Sequence, residues 1–467
     1  MKLHHAFNGF NTKAMRILFV IRTGDIFPYF KSIVTALMSR GHSVRYLYDK
    51  KWTDIHETED ILNRFKKEHL NFEHSFALQR NDWWRKVLFH TRELLSYRMY
   101  LKSKQSPYYE RRWLTYLPKI FQRLFKYKFF RILFKTAPAG WILQLVERIT
   151  PPDKRIISHI RSYAPDVVVV NPTHARASSA DLEYLKAAHR LGVPAVLPVA
   201  GWDNLTTKGI ISVQPDRLLA WNAVQREEAV TWHRTPENRI RIIGATLFDD
   251  WFSYQKPSVS KKEFCARYGL RKSDPIFLYL GSSKNMAENE VWLVERLHAA
   301  LKTSPDARLR QVQFLVRPHP ANYLNYEQIT NKDIAVTPKG SLPKSKEVMQ
   351  SFYDAVYHTT AAIGINSSSM LMAIIAGKPV LTVLTDKYRK TQEETQHFKQ
   401  LMKDDVLDWA VSDGEFVSAV KRLLDGDDIR KGRRIKFAEK FLRPLGLNVS
   451  AGEVAAQEII AMAEKRK

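Results

Sequence analysis

The chain has 467 residues, of which 45% are hydrophobic and 26% charged, so it is too long for one core and too apolar for a disordered chain; two or three globular domains are expected. Lys and Arg outnumber Asp and Glu by 74 to 48, a formal charge of +26, which implies an anionic partner: nucleic acid, a phosphorylated ligand or a membrane surface. The single cysteine, Cys265, excludes an internal disulfide framework and a cysteine-based zinc site and fits a reducing compartment.

In chain order, the first apolar run, Ile17 to Ile21, is far shorter than the roughly 20 residues that span a bilayer. No apolar window elsewhere is long enough either. A cytoplasmic protein is expected, soluble or peripheral at the inner membrane surface. "RILFVIRTGDIFPYFKSIVTALMSRGHSVRYLYD" predicts a buried strand, a helix from about Phe27 to Ser39 and a second strand over Ser43 to Tyr48. This is a βαβ opening of a parallel sheet covered on both faces. The β-branched runs in "APDVVVVNP", "LGVPAVLPV", "PDRLLAWN" and "NRIRIIGA" continue that sheet.

One stretch breaks this rhythm. Between Arg80 and Lys135 lie fifteen basic residues and three acidic ones, interleaved with aromatic residues from Trp83 to Phe134. Spacing such as Leu117, Phe121, Leu124, Phe125 places apolar residues on one side of a helix and basic ones on the other. Two readings stay open: a helical insertion packed on the sheet with solvated charges, or a face lying in an anionic headgroup layer. Nucleic acid is disfavoured, because no zinc-finger, RNP or recognition-helix pattern accompanies the charge.

After "TLFDDWFSYQKPSVSKK", a linker by its Pro and Ser content, a second set of strands begins: "PIFLYL", "QVQFLV", "DIAVTP", "AAIGI" and "PVLTVL", with a helix from Glu288 to Leu301 among the segments between. Asp249 and Asp250 are expected to organise the hinge. The fold class expected is α/β: two Rossmann-like doubly wound domains facing a cleft, with a basic aromatic helical insertion in the first. The expected boundaries are 1–250, with the insertion at about 80–150, then 251–445, and a C-terminal helix at 446–467 that packs back on the first domain.

Three loops of the second domain follow strands, and should open on one carboxyl edge of its sheet, where α/β proteins bind ligands. "YLGSSKN" contributes Ser282, Ser283 and Lys284. "RPHPAN" contributes Arg317 and His319, held stiffly by prolines that remove N–H donors and keep the preceding residue out of helical space. "GINSSSMLMAIIAGKPV" contributes Asn366, Ser367, Ser368 and Ser369 at a helix start, where unpaired amides attract phosphate. Each piece alone reads as an ordinary cap or structural histidine; together they point to an anion site suited to a diphosphate.

Two α/β domains with "RPHPAN" followed by "NSSSMLMAIIAGKPV" resemble the GT-B glycosyltransferases, particularly bacterial enzymes of surface-polysaccharide assembly. Polysialyltransferases, capsule Kdo transferases and CDP-glycerol glycerophosphotransferases are similar in having a His-Pro motif and a serine pair. The resemblance implies that His319, Ser367 and Ser368 bind nucleotide phosphates. Where many GT-B enzymes carry a ribose-binding Glu-Ala after the serines, this chain has Met372-Ala373, so ribose recognition comes from elsewhere; Glu288 is one substitute.

A glycosyl transfer of this kind needs no metal or other cofactor if basic groups and a helix dipole stabilise the departing diphosphate, and the sequence carries no compelling metal cluster. An inverting mechanism also needs a base for the acceptor hydroxyl. Asp203 in "GWDNLTTKG" and Asp25 in "RTGDIFP" are the first candidates and His174 the third, with Asn204, Thr206 and Lys208 on the acceptor side. For Asp25 and Asp203 a local capping or turn role is the alternative. The expected function is metal-independent transfer of a sugar from a nucleotide donor to a lipid-linked or growing glycan at the inner membrane face. A CDP-alcohol polyol-phosphate transferase or a sugar-nucleotide epimerase is the enzymatic alternative, and a non-catalytic adaptor for membrane or nucleic acid the alternative of another class.

Overall fold

The computed structural model describes residues 14–103, 106–172, 180–338 and 345–466. Two parallel sheets organise them. The first has the order β3-β2-β1-β4-β5-β6-β7, built from β1 (Arg16–Ile21), β2 (Ser43–Tyr48), β3 (Phe72–Phe76), β4 (Val167–Val170), β5 (Ala195–Pro198), β6 (Arg217–Ala220) and β7 (Ile240–Ile242). The second has the order β10-β9-β8-β11-β12-β13, from β8 (Ile276–Leu280), β9 (Gln313–Arg317), β10 (Ile334–Val336), β11 (Ala361–Gly364), β12 (Val380–Val383) and β13 (Asp408–Ala410). Every strand pair is parallel. Chain direction across each sheet reverses once, between β1 and β4 and between β8 and β11, and these are the places where such sheets open a ligand crevice.

Central strands are mostly apolar because helices cover both faces: all of β4, β5, β8, β11 and β12 is buried. The two strands not anticipated from sequence, β3 and β13, are short edge strands with mixed exposure, so neither carries an apolar run. The helix expected from Glu288 begins at Val291, because Glu290 turns inward beneath the preceding loop.

The lobes share a core. Leu197, Trp202 and Trp221 of the first pack in one apolar cluster with Leu371, Phe398 and Leu401 of the second. Trp251 Nε1 donates to the Met372 carbonyl at 2.7 Å, and Asn222 Nδ2 to the Phe441 carbonyl at 2.7 Å. The last helix, Ala451–Glu464, crosses back onto Phe27–Met38 of the first lobe and buries Ala455, Ala456 and Ile459 among its strands. Asp249 anchors that crossing: its carboxylate accepts from the amides of Ala451 and Gly452 at 3.1 and 2.7 Å and pairs with Arg443 at 2.7 Å.

Between β3 and β4 the helices Trp84–Ser103, Pro107–Tyr116, Lys119–Leu124, Lys128–Lys135 and Ala137–Ile149 form the insertion. Its aromatic residues divide. Tyr97, Tyr100, Tyr109, Trp113 and Phe125 make a small core of their own, and the Leu117/Phe125 stripe faces that core rather than solvent. Ile120, Tyr127, Phe129, Ile132, Trp141 and Ile142 are exposed. The basic residues divide too: Arg80 and Arg92 are buried in a network with Glu183 and Glu147, and Arg98 donates to the carbonyls of Phe134, Lys135 and Thr136. Among the described residues no helix is long and apolar enough to cross a membrane.

Candidate functional site

The loops after β8, β9 and β11 leave three adjacent strands on the same edge. They are tied to one another through the first. Asn322 Nδ2 donates to the carbonyls of Ser282 and Ala287 at 2.9 and 2.8 Å, joining the second loop to the first. Thr391 Oγ1 donates to the Met286 carbonyl at 2.6 Å, and Asn366 Nδ2 to the Thr391 carbonyl at 2.7 Å, joining the third. A side chain at Gly281 would sit 3.0 Å from both His319 N and Pro318 Cα, so a glycine is what lets the first two loops touch.

Arg317 ends β9 half-buried, its guanidinium stacked 4.5 Å from the centre of the Phe352 ring. It forms no ion pair among the described residues, and burial lowers its pKa. A desolvated cation without a carboxylate is a charge that an anionic ligand would complement. His319 Nδ1 accepts from the Ala321 amide at 3.1 Å, which places the ring proton on Nε2 and leaves it to donate. Burial holds its pKa below the usual histidine value, so the ring is neutral at physiological pH.

Ser367 caps the helix Ser368–Ile375 by accepting from the Ser369 amide at 3.2 Å. The hydroxyls of Ser368, Ser369 and Ser283, all half-buried, make no hydrogen bond among the described residues, and Lys284 is exposed and unpaired among them. Two predicted donor residues play supporting parts instead. Ser282 is wholly buried, its amide and hydroxyl donating to Glu290 at 2.7 and 3.1 Å, so its hydroxyl is not available to a ligand. Asn366, also buried, spends its amide on Thr391 and on His397 Nε2 at 3.0 Å.

The remaining candidates belong to the first lobe. Asp25 accepts from the hydroxyls of Thr23 and Thr58 at 3.0 and 2.9 Å and from the Asp54 amide at 3.3 Å, so its carboxylate braces the start of helix Ile55–Glu68. Asp203 accepts from the Thr207 hydroxyl at 2.8 Å and pairs with Lys208 at 3.5 Å. Burial works to raise its pKa, yet Lys208, His397 and the Thr207 hydroxyl together hold it below the ordinary value, so it is ionised at neutral pH. Asn204 and Thr206, expected on the acceptor side, are buried in folding the same loop: Thr206 donates to the Asp203 carbonyl at 3.0 Å and accepts from Tyr100 at 3.1 Å. Lys208 alone of that group reaches solvent. His174 lies outside the described residues.

Three residues at this site carried no signal in the sequence. His397, within the polar run "TQEETQHFKQ", packs edge-on against Trp202 with ring centres 4.8 Å apart and accepts from Asn366, bridging the Asp203 loop to the serine loop. Burial lowers its pKa to about 4. Glu290 receives four hydrogen bonds, two from Ser282 and one each from Tyr279 and Tyr326 at 3.2 Å, and burial still raises its pKa to about 7. Glu228, on helix Ala223–His233, is buried, and desolvation, then the charge of Asp203, raises its pKa well above the ordinary glutamate value. Glu288, expected as a candidate ribose ligand, is exposed, and among the described residues only its carbonyl is engaged, by Asn325 at 2.8 Å.

No family model and no curated protein matches this chain. Solved structures do. The chain is similar to the UDP-GlcNAc 2-epimerase from Methanocaldococcus jannaschii, with a TM-score of 0.54 and 12% identity over 96% of this chain and 100% of that one. It is similar to a glycosyltransferase from Rickettsia africae ESF-5, with a TM-score of 0.54 and 11% identity over 97% and 99% of the two chains. The calicheamicin glycosyltransferase CalG4 gives 0.51 and 13% over 97% and 99%. The chain has the GT-B fold. At these identities the likeness is one of architecture, and the chemistry rests on the side chains of this chain.

Proposed function

We propose that the protein is a metal-independent glycosyltransferase that takes a sugar from a nucleotide donor and delivers it to a lipid-linked or growing glycan at a membrane surface. The observation that carries this reading is the guanidinium of Arg317, without a counter-ion among the described residues, on the edge where three loops and a serine-capped helix meet. Arg317, Lys284, His319 Nε2–H and the hydroxyls of Ser283, Ser368 and Ser369 stabilise the diphosphate as negative charge develops on it. Asp203, ionised and beside Lys208, takes the acceptor proton, in preference to Asp25, whose carboxylate is engaged in capping. The exposed apolar residues of the insertion, rimmed by Lys119, Lys126, Lys128 and Lys135, lie in the headgroup layer.

A second reading, a sugar-nucleotide epimerase, is favoured by neighbours such as the M. jannaschii enzyme in complex with UDP-GlcNAc and UDP and the Neisseria meningitidis enzyme bound to UDP-GlcNAc. One experiment addresses both. Thermal unfolding with UDP, GDP, CDP, CMP or dTDP should show stabilisation by one of them, about 2.7 kcal/mol at a hundred times its Kd, lost in Arg317→Ala and His319→Ala. Incubation of the matching nucleotide-sugar without acceptor then separates the readings: an unchanged sugar by NMR supports transfer, and interconversion of C2 epimers replaces it with epimerisation. Indifference to every nucleotide, with the parent folded, removes the enzyme altogether.

A further inference from the structure

A groove on the first lobe, lined by none of the donor-loop residues, carries cations that no acid among the described residues pairs with. Two cavities of about 740 and 300 Å³ join along Leu95, Gln144, Ile210 and Arg234, between the insertion and the chain after Thr207. Arg148, Arg190, Arg234 and Lys102 line them, and none of the four makes a side-chain hydrogen bond or ion pair among the described residues. No Asp or Glu falls outside the described residues to serve them. Glu147, the acid in the lining, is committed to Arg92 at 2.8 Å and Lys186 at 3.0 Å. The field is felt nearby: burial, then the charge of Arg234, lowers the pKa of Arg98, and burial, Arg98 and Arg234 lower that of Lys102. All four are exposed, so solvent screens them in the free protein, but their convergence on one groove leaves a positive field that an anion would complement.

The rim indicates which anion. On helix Ala137–Ile149, Trp141, Gln144 and Arg148 follow one another at i, i+3 and i+7, along one stripe. Trp141 is 63% exposed and Ile142 54%, so a groove wall of arginine and glutamine adjoins an apolar face on the same helix. An indole and an isoleucine at acyl-chain depth with guanidinium groups beside them match the layering of a leaflet, apolar below and phosphate above. We infer that this groove binds the phosphate headgroup of an anionic lipid, held by Arg148, Arg190, Arg234 and Lys102, and so fixes how the first lobe sits on the membrane. This rests on the membrane-surface reading of the insertion and adds a site that selects lipid charge.

The test is flotation of the full chain with vesicles of phosphatidylcholine alone and of phosphatidylcholine with phosphatidylglycerol at about a third of the lipid. The groove variant combines Arg148→Glu with Arg234→Asn, asparagine being chosen because Arg234 has φ 58°. A control with the same charge change, Lys262→Glu with Arg267→Gln, alters an exposed helix of the second lobe. The parent and control should bind the anionic vesicles at least about tenfold better than neutral ones, and the groove variant should lose that preference while keeping its far-ultraviolet spectrum. Equal loss in the control, or an unchanged preference in the groove variant, overturns the inference and leaves the insertion's apolar face in place. A parent that binds neither vesicle overturns the membrane reading itself, whereas nucleotide binding is untouched by either result.

Discussion

Glu290 shows how one buried group sets the geometry of a loop. Its carboxylate is the acceptor for the Ser282 amide and hydroxyl, so the loop after β8 is held from beneath by a residue that contacts no solvent. With a folded pKa of about 7 against 4.5 for an ordinary glutamate, the folded state binds the proton more tightly than the unfolded chain does. Stability from this group is therefore present at low pH and declines as pH rises from about 4.5 through 7, by roughly 3 kcal/mol in all. Glu290→Gln should remove that decline; urea midpoints of parent and variant that stay parallel between about pH 5 and 8 would count against it. Arg317→Ala belongs to the same scale: it removes a desolvated cation with no counter-ion among the described residues, so the apo protein should be at least as stable as the parent while nucleotide stabilisation is lost. A large drop in apo stability would mean that its stacking on Phe352 is its chief role. Neither property was visible in the sequence, where Glu290 is one of two acidic residues, with Glu288, shortly after Lys284, and Arg317 is known only by its prolines.

At the scale of elements, most strands could be read because a parallel sheet covered on both faces demands uninterrupted apolar runs, and "DVVVV" or "IFLYL" has few other uses. The edge strands β3 and β13 escaped because one side of each meets water. The insertion was legible as a helical, basic and aromatic region, yet helical periodicity could not say which aromatic residues turn inward, because that depends on how successive helices pack: Tyr100 and Trp113 meet from two consecutive helices. The crossing of the last helix depends on close contact: a side chain at Gly452 would lie 2.6 Å from the backbone carbon of Ser32. Gly452→Leu should cost about 1–3 kcal/mol and loosen the helix Ala451–Glu464, seen as faster hydrogen exchange there than in β8. Asp249→Ala leaves the buried Arg443 guanidinium without its carboxylate and should cost more, about 3–5 kcal/mol, measured as a fall in urea midpoint. Protection of the last helix that equals the parent's in both variants would refute this account of the crossing.

For the whole molecule, the shared apolar cluster and the returning helix predict that the lobes unfold together. Calorimetric and van't Hoff enthalpies should agree within error, and two resolved transitions would show that the interface is weaker than its packing implies. The net charge of +26 is unevenly used: part of it is buried in the Arg80, Arg92, Glu147 and Glu183 network, and part lines the groove beneath the insertion. What the sequence determined by itself was the local physics: two α/β halves, the ends of the central strands, and a stiff Arg-Pro-His-Pro turn and a serine-capped helix on one sheet edge. Only tertiary structure decided which candidates were consumed in folding. Ser282, Asn366, Asn204 and Thr206 turned inward, Asp25 braced a neighbouring helix, and His397 arrived from a polar segment to join the lobes. A side chain's type and spacing fix what it is able to donate or accept; whether that capacity remains free for a ligand depends on partners that only folding brings within hydrogen-bond reach.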